Sequence, residues 1–454
     1  MIDFLIMYEV VPREMESVLL LRNELVRRGY SVELQRLSEF VRTEYARYRK
    51  KCKKLKNHVR VLLVPSFYHD KELVDYFYIP LGKTEKIVNL RWEQYYRNGV
   101  MDNPQSSLFL YPCESGREAY HLCWGQRSYE NMREIGIAED KLIKAGPLHM
   151  DILRDEFKSY FLSKSELLSK YGLDASKETV LFISSFTNHR DRSDYINHLN
   201  SFFSGKYKIN EDAKELECAS YLLSMEWFDG FMQKNPNVNF IFRPHPADKI
   251  TSKELSDLEL RHPNFRVIRD YSVKQWILNC DRIVTWMSTS IMEAFFANKR
   301  CYIIRPVEYP YEFDMCVYNN AKFITTKEEF FNILDTECEE SIPSDFAYYY
   351  YDVQETPGYI RLSDELERIY KSGKDFPWDK ELTKSADRSK PKLFIDSASL
   401  FAKRRIRRMI RDIKNIGKGS GNKAKAKKAD GNINAALEKE IISKLKDKDF
   451  YYKK

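Results

Sequence analysis

The chain lacks the features that mark a stapled, fibrous or membrane-spanning protein. Its eight cysteines (Cys52, Cys113, Cys123, Cys218, Cys280, Cys301, Cys316 and Cys338) contain no C-x-x-C pair, so neither a zinc ribbon nor a disulfide framework is encoded. No stretch approaches 18 apolar residues. The opening MIDFLIMY has neither the basic flank nor the small-residue cleavage site of a signal peptide, which predicts a cytoplasmic chain with reduced thiols. Sixteen Gly and sixteen Pro in 454 residues are too few for low complexity. No G-x-G-x-x-G follows a strand-like run, and Gly82-Lys83-Thr84 has Phe77 where a phosphate loop needs its first glycine. There is no H-E-x-x-H or Cys/His cluster, and the D-x-D pattern falls at Asp447-Lys448-Asp449 among terminal lysines. No metal site is predicted.

What is present is a large, aromatic-rich globular body. With 43% hydrophobic and 14% aromatic residues over 454 positions, the chain can bury more than one core. The formal charge of +8 is unevenly placed. Residues 403–428 carry twelve Lys and Arg against Asp412 alone, and residues 429–454 add a net +1, leaving −4 on residues 1–402. A nucleic-acid-binding body is therefore not expected, and the basic stretch is not interleaved with aromatics. Within it, Phe401, Ile406, Met409, Ile410 and Ile413 approximate one helix face ringed by arginines. Such a basic amphipathic helix is expected to lie on an anionic membrane surface, unless it packs on the protein as an ordinary helix.

Short apolar runs alternate with amphipathic stretches. Strands are predicted at Ile2–Met7, Ser31–Leu37, Val59–Val64, Ile87–Leu90, Ala119–Trp124 and Lys141–Ala145, with helices over Arg13–Arg28, over Gln126–Ile135 and from Asp151 onward. After Tyr171-Gly172 a second series runs through strands Val180–Ser184, Val238–Phe242, Phe265–Ile268, Asp281–Thr285 and Cys301–Ile304, with helices over Glu215–Met232, Val273–Asn279 and Ser290–Ala297. Two doubly wound α/β units follow from this order. Residues 345–400 are rich in Tyr, Asp and Pro and fit helices that fold back on the first unit.

Ligands of open parallel sheets bind beyond the carboxyl ends of the strands, so the residues just past each strand matter most. In Arg243-Pro244-His245-Pro246 two prolines bracket a histidine beside an arginine, a fixed clamp that suits a phosphate, or else a plain surface turn. Ser288, Thr289 and Ser290 stand between a strand and a helix, where they would hold an anion or, with Glu293, form a capping box. Glu293 is equally suited to a sugar hydroxyl. The loop carrying Ser185, Thr187 and Asn188 follows the first strand of the second unit and either receives a transferred group or is solvated. In the first unit Glu9 ends the first strand, and Glu93 follows the fourth in Arg91-Trp92-Glu93-Gln94. A carboxylate beside Trp92 suits a general base, whereas pairing with Arg91 would be structural.

In this order the segments resemble bacterial surface-polysaccharide biosynthesis proteins of the GT-B type, a group that includes polysialyltransferase-like, Kdo-transferase-like and CDP-glycerol glycerophosphotransferase-like enzymes. The likeness covers about residues 1–340. It rests on Tyr8-Glu9-Val10 with Arg13-Glu14, on Trp124-Gly125 followed by Ile135-Gly136-Ile137, on Gly146-Pro147 with Asp151, on Arg243-Pro244-His245-Pro246, and on Ser288-Thr289-Ser290 with Glu293. Relatives often carry an acidic pair before Gly where this chain has Glu93-Gln94.

The resemblance implies two Rossmann-like units facing a cleft, with a basic helical C-terminal tail. It divides the chain into an acceptor domain over residues 1–165, a nucleotide-donor domain over 172–345, return helices or irregular chain over 346–399, and the tail over 400–454. It implies a metal-independent glycosyltransferase without a cofactor, using a nucleotide-activated sugar, with a CMP-linked one among the candidates, and a glycan or lipid-linked glycan acceptor. His245 and the serine turn would hold the donor phosphate while Glu93, with Glu9 in reserve, takes the acceptor proton. The same site would also serve a CDP-glycerol-type polyol phosphate transferase, or a nucleotide-binding scaffold without turnover. Residues 400–428 would place the enzyme at the inner face of the cytoplasmic membrane.

Overall fold

A computed structural model describes residues 1–37, 45–98, 111–186 without 113, 211–245, 248, 251–384, part of 386–399, and 436–445. The chain divides into two units. Unit 1 comprises Met1–Gln94, Phe109–Ile152 and Ser344–Lys454, and unit 2 comprises Tyr95–Leu108 and Leu153–Pro343.

Unit 1 is built on six parallel strands: β1 (Ile2–Tyr8), β2 (Val32–Arg36), β3 (Val59–Val64), β4 (Lys86–Asn89), β5 (Tyr120–Cys123) and β6 (Leu142–Lys144), in the order β2-β1-β3-β4-β5-β6. The register places Phe4 opposite both Val32 and Val61, and Val64 opposite Asn89. A strand covered on both faces reads as a continuous apolar run, which is why Phe4 to Met7 are all buried. The Val11–Arg27 helix follows β1 and buries Val18, Leu19, Leu21 and Leu25. Gly29, at φ 93°, ends it: the amide of Tyr30 donates to Leu25 O and that of Gly29 to Val26 O, a closure that needs the left-handed conformation.

The chain returns to unit 1 through the helices Ser344–Tyr351 and Gly358–Lys371. The second buries Tyr359, Leu362, Leu366 and Ile369 along one stripe, and Arg28 pairs with its Asp364 and Glu367. Its first turn is held by Asp151, whose carboxylate accepts from the amides of Gly358 (2.9 Å) and Tyr359 (2.8 Å). Acceptance at an N-terminus satisfies donors that have no partner within the helix. This corrects the expectation of a helix from Asp151 onward. The segment forms 3-10 turns at Leu148–Leu153 and Asp155–Tyr160, broken by extended Arg154, and Asp151 lies inside the first turn with its carboxylate committed to the Gly358–Lys371 helix.

Unit 2 has six further parallel strands: β7 (Thr179–Ile183), β8 (Asn239–Arg243), β9 (Phe265–Val267), β10 (Arg282–Thr285), β11 (Arg300–Ile304) and β12 (Lys322–Ile324), ordered β12-β11-β10-β7-β8-β9. Its core is rich in aromatics. Phe182 packs on Phe228 (ring centroids 4.8 Å) and Phe242 (5.3 Å), and Phe240 stacks on Phe265 (5.6 Å). The strand order reverses between β1 and β3 in unit 1 and between β7 and β10 in unit 2, and these are the points at which such sheets receive ligands. Three-residue β12, polar at its first position, was not expected from the sequence.

Candidate functional site

In unit 2 the loops leaving β7 and β10 flank the switch point and are laced together by hydroxyls. Thr285 Oγ1 donates to Ile183 O (2.7 Å), and Ser185 Oγ accepts from the amide of Met287 (3.1 Å). Ser184 links the other neighbour, its amide donating to Arg243 O (2.9 Å) while its Oγ accepts from the amide of Phe186 (3.2 Å). The sequence-predicted Ser185 and the Ser288 turn therefore share one edge. Thr187 and Asn188 lie outside the described residues.

The Ser288–Ser290 turn leads into the Ile291–Phe296 helix. Ser288 Oγ accepts from the amide of Ser290 (3.2 Å), and Ser288 O accepts from Tyr318 Oη (3.3 Å). Ser290 occupies the N-cap position but its hydroxyl makes no cap bond, so the alternative of a capping box with Glu293 is not realised. Glu293 is buried in the first turn, whereas Ser288, Thr289 and Ser290 are half-buried.

The turn after β8 carries Arg243 and His245. His245 is half-buried and its carbonyl accepts from the amide of Asp248 (2.8 Å), with Pro246 outside the described residues. Arg243, expected beside the anion, instead donates to Asp270 O (2.9 Å) and Tyr271 O (2.5 Å). Burial pushes its guanidinium down to about 10, against the pull of Asp270. Arg243 thus fixes the strand end by satisfying two carbonyls.

Arg305, not singled out in the sequence, anchors the neighbouring loop from below. It follows β11, donates to Trp286 O and to Asp314, and lies among the rings of Tyr309 (5.2 Å), Phe323 (5.6 Å), Tyr318 (5.8 Å) and Trp286 (6.0 Å). Burial pushes the Asp314 carboxyl up, and Arg305 pulls it back. An Arg after an apolar strand carries no sequence signal of this role.

In unit 1 Glu93 and the backbone of Glu9 are linked through Arg13 and Glu14 in series. Arg13 bonds Glu93 on one side and Glu14 on the other (2.6 Å), and Glu14 accepts from the amide of Glu9 (2.7 Å). Glu14 was missed: it is fully buried, and burial pushes its carboxyl up against the pull of Arg13 and the Glu9 amide. The apolar surroundings expected for Glu93 are not found, since its carboxylate is 56% exposed and Trp92 turns inward. Nor does Glu93 pair with Arg91, which at φ 45° points into the unit, reaching Ser128 Oγ (3.4 Å).

Gln94, next to Glu93, is a structural clamp. Its Nε2 donates to Leu122 O (2.9 Å) and Arg91 O (3.2 Å), while its Oε1 accepts from the amide of Trp124 (3.1 Å) and from Ser128 Oγ. Both ends of the amide are used, a set that a carboxylate cannot reproduce. The tryptophan-glycine pair beside it is also structural: a Cβ on Gly125 would lie 2.4 Å from Tyr349 O of a return helix.

Among the described residues there is no group of three His, Cys, Asp or Glu placed to hold a metal ion. Among them, too, no helix is long and apolar enough to cross a membrane. The basic segment 403–428 lies outside the described residues.

No protein-family model matches the chain, and no curated protein matches it in sequence. Its fold, however, is similar to solved structures. A variant of the wall teichoic acid polymerase TagF superposes with a TM-score of 0.54 at 11% identity, over 81% of this chain and 89% of that one. A second TagF variant, soaked with CDPG, gives 0.53 at 10% identity, over 81% and 88%. The UDP-GlcNAc 2-epimerase of Neisseria meningitidis bound to UDP-GlcNAc gives 0.46 at 12% identity, over 81% and 98%. With its two parallel six-stranded sheets, the chain has the two-domain α/β fold of GT-B type.

Proposed function

We propose that the chain is a GT-B-type transferase that moves a sugar from a nucleotide-activated donor onto a bacterial surface glycan. The observation that carries this reading is the hydroxyl-lined switch point of unit 2. Ser185 and Ser288 sit on loops tied together by the Ser185 Oγ–Met287 amide bond, and the Ser290 hydroxyl is not used to cap its helix. Half-buried hydroxyls at the reversal of strand order are suited to a nucleotide phosphate. In this mechanism the acceptor hydroxyl gives its proton to Glu93, with Glu9 in reserve, and its oxygen bonds to the anomeric carbon. The bond from that carbon to the donor phosphate oxygen breaks, and the electron pair leaves with the nucleotide. His245 and the Ser288–Ser290 turn stabilise the charge that develops there. No metal enters the scheme.

A second reading keeps the donor site and changes the transferred group. The fold likeness to TagF, one of whose structures was soaked with CDPG, favours transfer of a polyol phosphate from a CDP-linked donor. In either case the acceptor is a surface polymer or its lipid-linked precursor, and the basic segment 400–428 holds the enzyme at an anionic membrane surface. Sedimentation with anionic liposomes, full-length against a chain ending at Ser399, tests that placement, and equal binding refutes it.

A thermal-shift series with CMP, CDP, UDP and GDP and their sugar and polyol conjugates tests the function. Ligand at 100 times its Kd adds about 2.7 kcal/mol to the stability of the binding unit, a rise of roughly 5–10 °C. Product analysis with the compound that raises Tm separates the two transferase readings. If none of them raises it, the transferase reading fails and a scaffold without turnover takes its place.

A further inference from the structure

The helix at residues 436–445 docks on unit 1 at the carboxyl ends of β1 and β2. Glu438 accepts from Tyr8 Oη (2.6 Å), the last residue of β1, and lies 3.6 Å from the guanidinium of Arg36, the last residue of β2. Leu437, Ile441 and Leu445, spaced four residues apart, are buried, while Ala436, Lys439 and Ser443 face solvent. Asn23 Nδ2 donates to Leu445 O (2.7 Å), a further tie between the helix and unit 1. Ten helical residues are marginal by themselves in water, so the contacts of the described stretch contribute to holding it folded.

Its position has a functional meaning. Sheets of this kind receive ligands over the carboxyl ends of their strands, beside the reversal of order, which in unit 1 lies between β1 and β3. Tyr8, gripped by Glu438, immediately precedes the candidate base Glu9, whose amide is fixed by Glu14. Building on the transferase reading above, we propose that the 436–445 helix is an autoinhibitory strap that competes with the acceptor for the carboxyl edge of β1 and β2.

Among the described residues the attachments include one hydrogen bond and one partly exposed ion pair from Glu438, one bond from Asn23, and three apolar side chains. A strap held this way exchanges between docked and released states, and the acceptor meets only the released fraction. Its apparent affinity falls by that fraction, so a strap docked nine-tenths of the time raises the acceptor KM about tenfold.

Two full-length variants test this. Ile441→Asp places a carboxylate in the buried face, and Glu438→Gln removes the charge from Tyr8 and Arg36 while leaving the apolar face intact. Hydrogen exchange of the amides in 440–445 reports release, and steady-state transfer from the donor found in the thermal-shift series reports function. The expected result is faster exchange in both variants, larger for Ile441→Asp, with an acceptor KM lower by about five- to tenfold and an unchanged donor KM. Turnover that appears only in the variants supports the strap equally. Faster exchange with an unchanged or higher acceptor KM overturns the strap and leaves the transferase reading standing, as does unchanged exchange in Ile441→Asp. Absence of turnover with every donor in all three proteins overturns the transferase reading, and the strap falls with it.

Discussion

The Gln94→Glu substitution exchanges one amide nitrogen for oxygen in a side chain that is 3% exposed. That nitrogen donates to Leu122 O and Arg91 O, so an ionised carboxylate at this position sets an anion against two carbonyls and loses both bonds. The new carboxyl can escape by staying protonated. From an ordinary pKa near 4.3, protonation at pH 7 costs about 3.7 kcal/mol, which caps the charge penalty, and the neutral acid recovers one of the two donations. The other is lost at about 1 kcal/mol. Arg91 stands one hydroxyl away through Ser128 and offsets on the order of 1 kcal/mol for the ionised form. The expected destabilisation is about 3–5 kcal/mol at pH 7, or roughly 6–15 °C in the Tm of a unit of this size. The folded pKa is raised, so the deficit is present above the unfolded pKa and shrinks as pH falls, to roughly 2 kcal/mol at pH 5. Urea unfolding followed by tryptophan fluorescence at both pH values measures it. A deficit below about 1 kcal/mol at pH 7, or one that does not change with pH, refutes the assignment of Gln94 as a clamp.

Three further outcomes follow from the geometry. His121 is fully buried with Nε2 2.9 Å from Gly116 O, and burial pushes it down to about 3. Its contribution is therefore complete above an unfolded pKa of about 6.5 and lost as pH falls toward 3, about 3–5 kcal/mol in all, and His121→Gln should flatten the acid limb of the stability–pH curve; an unchanged limb argues against it. A Cβ at Gly358 would lie 2.3 Å from Ala145 O, so Gly358→Ala should cost about 2–4 kcal/mol and loosen the return helix, seen as faster hydrogen exchange over residues 358–371, with no such effect expected from Gly373→Ala, where the space is open. If the proposed chemistry holds, Glu93→Gln should lower kcat by a factor of about 10² to 10⁴ with nucleotide binding retained, whereas full activity would shift the base to Glu9.

The α/β architecture was legible because buried parallel strands announce themselves as apolar runs: β3 was placed to the residue from VRVLLV, and β1 and β7 to within one residue at either end. β12 was lost because a three-residue strand beginning with Lys322 has no such run. At the site, hydroxyls between a strand and a helix could be named from order alone, and Ser185 and the Ser288 turn do share the unit 2 switch point. Long-range partners could not. Arg243 turning to two carbonyls, Glu14 buried behind Arg13, and Asp151 capping a helix more than two hundred residues later depend on which backbone groups lack a partner, and periodicity carries no trace of that. The tryptophan-glycine and proline-aspartate segments read as family marks prove to be attachment points for the return helices.

That attachment has a cost in time. Asp151 and its partners Gly358 and Tyr359 are separated by the Leu153–Pro343 segment of unit 2, so on a ribosome adding about 5–20 residues per second the first unit waits roughly 10–40 s for the helix that completes it. During that interval the Val11–Arg27 helix and the residues around Gly125 and Ala145 stand uncovered. The nascent chain would be most exposed to chaperone capture and to aggregation in this window, and substitutions at Asp151 should lower yield during synthesis more than they lower the stability of the finished protein.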